Sequence, residues 1–245
     1  MMMMMMDNDR DSTFRRVAAV FRRWTDHGDA CAPVRHLSIV EPSSAGTPAA
    51  PAPAPANLIL PQSDRNPLLE QARNKQCNMW KTELLATDPK IQRLMDALAA
   101  HGCAFDPEKH IRCMPCSPVA SGGFGAEFGI LLCQNQIFRK EHMRETLIHE
   151  LVHAYDHCVF KYRWTDCKHF ACTEVRAANV SGDCQFSREL ERGNFAVIGG
   201  QMQCVKRRAI LATKHNPLCK DQAEAAVNAV FDSCYGDRQP FDNAE

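Results

Sequence analysis

The sequence predicts an α+β fold: a small sheet beside one buried helix, a second helix folded back on the first, and a disulfide-stapled helical C-terminal part. Three observations predict it. Apolar residues recur at helical spacing in two separate segments, Ile91, Leu94, Met95 and Leu98, then Met143, Leu147, Ile148, Leu151, Val152 and Tyr155. Between them, residues 122–136 (GGFGAEFGILLCQNQ) read as extended chain punctuated by glycine. Finally, 13 cysteines in 245 residues are far more than a reducing compartment leaves as free thiols.

The N-terminal segments stand outside that fold. Six methionines followed by Asp7, Asp9 and Asp11 are unlike a secretory signal, and Phe14 to Trp24 (FRRVAAVFRRW) is a short basic amphipathic stretch suited to targeting or surface binding. Residues 42–56, rich in Pro and Ala, form an extended spacer that cannot bury a core. The expected division is therefore a disordered, low-complexity tail with a Pro/Ala linker over 1–61 and one folded domain over 62–245. In that domain the helix around Ile91 to Leu98 stops at His101-Gly102. A Cys/Pro-rich loop, 106–118, holds Cys113-x-x-Cys116, and the glycine-rich extended segment follows as a hairpin or edge strand, with Phe124 to Leu132 offering either a substrate-binding edge or an ordinary core strand. After the helix of Met143 to Tyr155, helical patterns occupy roughly 170–180, 201–213 and 220–234. Cys204, Cys219 and Cys234 are evenly spaced, as staples between helices would be. With Cys31 in the tail set aside, 12 cysteines remain, enough for six bridges; the rival reading of Cys113 and Cys116, half of a structural zinc site, lacks a second Cys-x-x-Cys.

Charge narrows the function classes. Lys+Arg and Asp+Glu balance at 29 each, so no basic excess marks the chain for nucleic acid. No stretch approaches the roughly 20 consecutive apolar residues that cross a bilayer, so no transmembrane span is expected and any membrane association is peripheral. The mitochondrial intermembrane space is one compartment that would reconcile many cysteines with the lack of a secretory signal, although composition alone does not choose it.

His149-Glu150-Leu151-Val152-His153 is the His-Glu-x-x-His pattern of zinc peptidases. Residues four apart share a helix face, so both imidazoles can reach one tetrahedral Zn²⁺, while Glu150 can lean over the open side as general base for water. A third ligand must come from a segment that folds back. Glu174 is chosen because its one-turn neighbours Phe170, Ala171, Ala177 and Ala178 make its face apolar, where a carboxylate is costly unless a cation meets it. His169, with a more polar flank, is the alternative third ligand. Asp156, one turn after His153, is placed to take a ligand's second ring proton from outside the coordination shell. Tyr155, His157 and His169 are candidate donors to the oxyanion of a tetrahedral intermediate.

Several blocks in one order then resemble a known family. They are Ile111 to Cys116 (IRCMPC), Ser121 to Phe124 (SGGF), Leu147 to Asp156 (LIHELVHAYD), Ala171 to Cys184 (ACTEVRAANVSGDC), Cys234-Tyr235 and Gln239 to Asp242 (QPFD). With these, nearly all of Asn66 to Asp242 resembles the metalloproteases of the mitochondrial intermembrane space that lie peripherally on the inner membrane, mature an ATP synthase proton-channel subunit and assist ATP synthase assembly. The resemblance implies a zincin-like metallopeptidase fold, one zinc ion on His149 and His153, and Glu150 as the catalytic residue. It also implies a polypeptide substrate, the ATP synthase membrane subunit precursor, and oxidative folding in that compartment. The family's assembly role does not require cleavage, so the alternative is a non-proteolytic assembly chaperone whose metal site is mainly structural.

Overall fold

The computed structural model describes residues 66–116, 120–195 and 198–241. The N-terminal tail, its basic stretch, Cys31, the Pro/Ala linker and the expected domain start at 62 lie outside the described residues. The described chain is a mixed α+β structure, mostly helical, with one three-stranded sheet.

Helix α1 (Pro67–Thr87) has no counterpart among the expected elements. Asn66 caps it by accepting from the backbone N–H groups of Leu68 and Leu69, and Pro67 occupies a first-turn position where its missing N–H costs nothing. Only Cys77, Lys81 and Leu84 are buried along its 21 residues, so no apolar stripe announces it. Asp88 ends α1 and starts α2 (Pro89–Ala100): its N–H bonds Leu84 O while its carboxylate accepts from Lys90 and Ile91 N–H. The expected Ile91, Leu94 and Leu98 are buried on α2, which ends at His101 with Gly102 in the left-handed region.

A single turn, α3 (Pro107–His110), leads into β1 (Ile111–Met114), followed by β2 (Gly122–Gly125) and β3 (Gly129–Cys133). The strand order is β1-β3-β2, with β1 parallel and β2 antiparallel to β3. The glycine-rich segment thus supplies both an edge strand, β2, and a central strand, β3, that is buried throughout. Gly129 has φ 81°, and a Cβ there would lie 2.3 Å from His110 O, so only glycine permits this turn against α3.

Helix α4 (Lys140–Phe160) packs its apolar face beneath the sheet: Met143, Leu147, Ile148, Leu151 and Val152 join Ile91, Leu94, Ile130 and Leu132 in one core. Helix α5 (Cys167–Val180), capped by Asp166, packs on α4. A short α6 (Phe186–Glu191) precedes α7 (Gly200–His215), and a 3-10 turn (Lys220–Gln222) opens α8 (Ala223–Gly236). Helices α5, α7 and α8 share a second core containing Ala171, Val175, Val205, Ala209, Val227 and Phe231.

All 12 cysteines of the described chain pair, giving six bridges. Cys204, Cys219 and Cys234 bond to Cys184, Cys167 and Cys172, so each evenly spaced cysteine is stapled to α5 or the turn after it. Cys113 and Cys116 bond to Cys77 and Cys133, which excludes a half zinc site there. No described helix is long and apolar enough to cross a membrane.

Candidate metal centre

Because α4 and α5 pack face to face, the apolar flanks that bury them also bring their polar exceptions together. His149 and His153, one turn apart on α4, meet Glu174 of α5, and one ligand atom from each lies within 4.8 Å of the others. Glu174 Oε2 is 3.5 Å from His149 Nε2, and its Oε1 is 3.7 Å from His153 Nε2. Those separations are too long for good hydrogen bonds, which run to about 3.2 Å. They are close to the roughly 3.3 Å edge of a tetrahedron whose bonds are about 2.0–2.1 Å. Two imidazole nitrogens facing the two oxygens of one carboxylate, with one ligand atom from each residue inside 4.8 Å of the others, are a donor set that fits a divalent cation.

The tautomer of His153 supports the same conclusion. The Thr173 hydroxyl donates to Asp156 Oδ2 at 2.7 Å, and its oxygen lies 2.9 Å from His153 Nδ1. With its hydrogen given to Asp156, Thr173 Oγ1 accepts the Nδ1 proton, which leaves an unprotonated Nε2 directed at Glu174. Burial pushes the His153 imidazole down to about 4, against the raising effect of Glu174, so the ring is neutral, as a metal ligand must be.

Asp156 therefore does not touch a ring directly, as the sequence reading had placed it; it acts through Thr173. It is fully buried and held by Arg176, whose Nε and Nη2 approach Oδ1 at 3.1 and 3.0 Å. Burial raises the Asp156 carboxyl to about 6 against the pull of Arg176. Arg176 in turn donates to the carbonyls of Asp237 and Gln239, so the C-terminal segment closes over this network.

Glu150 lies beside the cluster and not in it. Burial, and secondarily the charge of Glu174, push its carboxyl up to about 7 against the pull of His149, while the Phe124 backbone N–H bonds to it. Edge strand β2 thus contacts Glu150 directly. At Gly122 an added Cβ would lie 2.7 Å from Thr146 Cγ2 and 3.4 Å from Glu150 Cγ, so glycine allows β2 to approach α4 this closely. For Glu174, burial raises the carboxyl, but His153 and His149 outweigh it and the net shift is downward. His149, with its side chain 26% exposed, is the part of the cluster open to solvent.

The rival third ligand is elsewhere. His169 Nδ1 accepts from the Arg163 N–H and its ring packs on Tyr162. Tyr155 also leaves the candidate donors, being buried in the core against His101 and Phe160. His157 accepts the Trp164 indole N–H on Nδ1, which directs its remaining ring proton to Nε2. Trp164 also packs against Phe124 and His153, forming an aromatic wall that sequence reasoning missed together with Thr173. The signal for Thr173 was available: a polar residue inside an apolar helical run requires a partner.

Residues 75–242 match the peptidase M76 family. The chain is 40% identical over 189 residues to a Malassezia globosa protein named mitochondrial inner membrane protease ATP23, covering 69% of this chain and 77% of that one. A Xenopus laevis homolog of the same name is 40% identical, with 74% and 79% covered, and a human homolog is 41% identical, with 69% and 70% covered. No solved structure matches.

Proposed function

We propose that this chain, which belongs to the peptidase M76 family, is a zinc metalloendopeptidase with a zincin-like arrangement of α4, α5 and β2. The observation that carries the proposal is the convergence of His149, His153 and Glu174, whose ligand atoms lie within 4.8 Å of one another, with Glu150 adjacent to them. A zinc ion held by those three side chains would polarise water and the scissile carbonyl.

The chain's own groups supply the rest. Glu150 takes the proton of the attacking water and returns it to the leaving amine nitrogen, so one carboxyl serves as base and then as acid. Thr173 and Asp156 keep His153 in the tautomer that leaves Nε2 free. The β2 edge binds extended polypeptide by backbone hydrogen bonds, which places the scissile bond against Glu150 with little dependence on sequence. His157, with a proton on Nε2, is the remaining donor candidate for the developing oxyanion.

The site of action is the intermembrane-space side of the mitochondrial inner membrane, with peripheral attachment. The names of the relatives and the six disulfides support this location. The substrate is an ATP synthase membrane-subunit precursor and the enzyme also assists ATP synthase assembly, a reading supported by the sequence blocks around β1, β2, α4 and α5. The test is Glu150→Gln. It should retain stoichiometric zinc while cleavage falls by roughly 10²–10⁴-fold. Unchanged cleavage would refute the assigned base, and the absence of zinc from wild type would refute the metal centre. If wild type holds zinc but cleaves no peptide, and assembly still proceeds, the non-proteolytic chaperone is the correct reading.

A further inference from the structure

The surroundings of the metal centre differ from one end of β2 to the other. The strand reads Gly122-Gly123-Phe124-Gly125, so Phe124 supplies its one side chain larger than hydrogen. Gly122 and Phe124, two apart, share a face of the strand, and a Cβ at Gly122 would meet Thr146 and Glu150 of α4 on that face. Phe124 accordingly donates its backbone N–H to Glu150, and its ring centroid lies 5.9 Å from that of His157. Trp164 comes from the loop between α4 and α5. Lys161 ends α4 in the left-handed region at φ 51°, which turns the chain back on the helix. The Trp164 ring centroid then stands 6.1 Å from Phe124, 5.9 Å from His157 and 6.2 Å from the ligand His153. Its indole N–H donates to His157 Nδ1 at 3.1 Å, and the ring also packs edge-on to buried Phe170.

Phe124, His157 and Trp164 thus arrive from three elements, and each keeps part of its surface in solvent. Charge separates this end of β2 from the other. At the Ser121 end, His142 lies 2.9 Å from the Ser121 hydroxyl, and Arg188, Asp183, Arg139 and Arg192 all act on its imidazole. At the Phe124 end, burial alone pushes the His157 imidazole down, with no charged group among the described residues contributing. An ammonium or carboxylate pressed against these rings would lose water without an ion partner on the wall, whereas an apolar side chain would gain from leaving water. The β2 edge holds polypeptide by backbone hydrogen bonds that read no sequence, so discrimination has to come from side chains beside the edge.

We propose that Phe124 and Trp164, with the His157 ring against both, form a subsite for one large apolar side chain of the polypeptide substrate, within two residues of the scissile bond. This rests on the peptidase reading above and adds the selectivity that backbone pairing alone does not give. The reach follows from the strand. Phe124 bonds Glu150 through its own N–H, so a substrate residue paired opposite Phe124 lies within two strand steps, about 7 Å, of the peptide group that faces Glu150.

The test uses the full-length, zinc-loaded protein and a mixture of soluble peptides of random sequence, with the cuts mapped by mass spectrometry. Leu, Met, Phe or Trp should be enriched at least about tenfold over Ala at one position within two residues of the cut. Trp164→Ala and Phe124→Ala should each flatten that position to within about threefold while zinc content holds. Phe124 meets the wall from β2, so its variant reads the subsite even where Trp164→Ala disturbs His153. Trp164→Phe, which keeps an aromatic face but loses the bond to His157, should retain the preference. A second readout needs no turnover. In a Glu150→Gln background, a fluorescein-labelled peptide carrying the preferred residue should lose at least about fivefold in affinity on Trp164→Ala, and its Ala-substituted counterpart less than about twofold. Cleavage without an apolar preference, a preference for Lys or Arg drawn to the ring faces, or an apolar preference unchanged in both alanine variants overturns the subsite and leaves the peptidase reading intact. Zinc-loaded wild type that cuts no peptide in the mixture overturns the peptidase reading itself, and the subsite with it.

Discussion

Replacing Thr173 by Val removes one oxygen and tests how the metal centre is held. The hydroxyl is fully buried, lies 2.9 Å from His153 Nδ1 and donates to Asp156 at 2.7 Å. Valine nearly preserves the volume, so packing around α5 should survive. The His153 ring then has two options. It can keep its proton on Nδ1 without an acceptor, at a cost of about 1–3 kcal/mol for a buried unsatisfied donor. Alternatively the proton moves to Nε2, where it points at Glu174 and removes the lone pair a cation needs. Either way the expected loss of zinc affinity is about 10–100-fold, or roughly 1.4–2.7 kcal/mol. The metal-free protein should lose less, because a protonated Nε2 can turn its hydrogen toward Glu174 Oε1, 3.7 Å away. Competition with a chromophoric chelator measures the affinity, and urea unfolding of the apo protein measures stability. Thr173→Ser, which restores the hydroxyl, should recover most of the binding. Wild-type zinc affinity in Thr173→Val would refute the tautomer argument, as would an apo destabilisation that equals the whole affinity loss.

Three other outcomes follow from the same geometry. Glu174→Gln should lose zinc by more than the roughly 100-fold that an outer partner controls, whereas His169→Ala, altering a residue that faces Arg163, should hold it; metal analysis after dialysis reads both. Gly122→Ala should keep zinc yet lower kcat/KM about 100-fold, since its Cβ would drive β2 away from Thr146 and Glu150 by a distance that matters for alignment; steady-state kinetics on a soluble peptide checks it. Removing the Cys172–Cys234 bridge, which spans 62 residues and ties α5 to α8, should cost about 4 kcal/mol by chain entropy, a drop in Tm of roughly 8–16 °C in a thermal melt.

What the sequence made legible was whatever local spacing controls. The core face of α4 appears as an apolar repeat of helical period, and the His149 and His153 pair follows from the same period. Glu174 stood out for an energetic reason, since a carboxylate ringed by Phe170, Ala171, Ala177 and Ala178 has no local partner, and the structure answers with two imidazoles from another helix. The central place of β3 was also available in principle, because five consecutive residues buried on both faces read as GILLC. Helix α1 was hidden because three buried residues in 21 leave no period to detect. The Thr173, Asp156 and Arg176 network was hidden for a different reason: Asp156 and Thr173 each signal a need for a partner, but the partners meet only once α5 packs on α4 and residues 237–239 close on Arg176. Arg176 shows what that closure is worth. Removing one partner of a pair this buried costs about 3–5 kcal/mol, because the other charge is stranded. The C-terminal segment is therefore coupled to His153 through Arg176, Asp156 and Thr173, a connection from the end of the chain to the metal centre that no local pattern encodes.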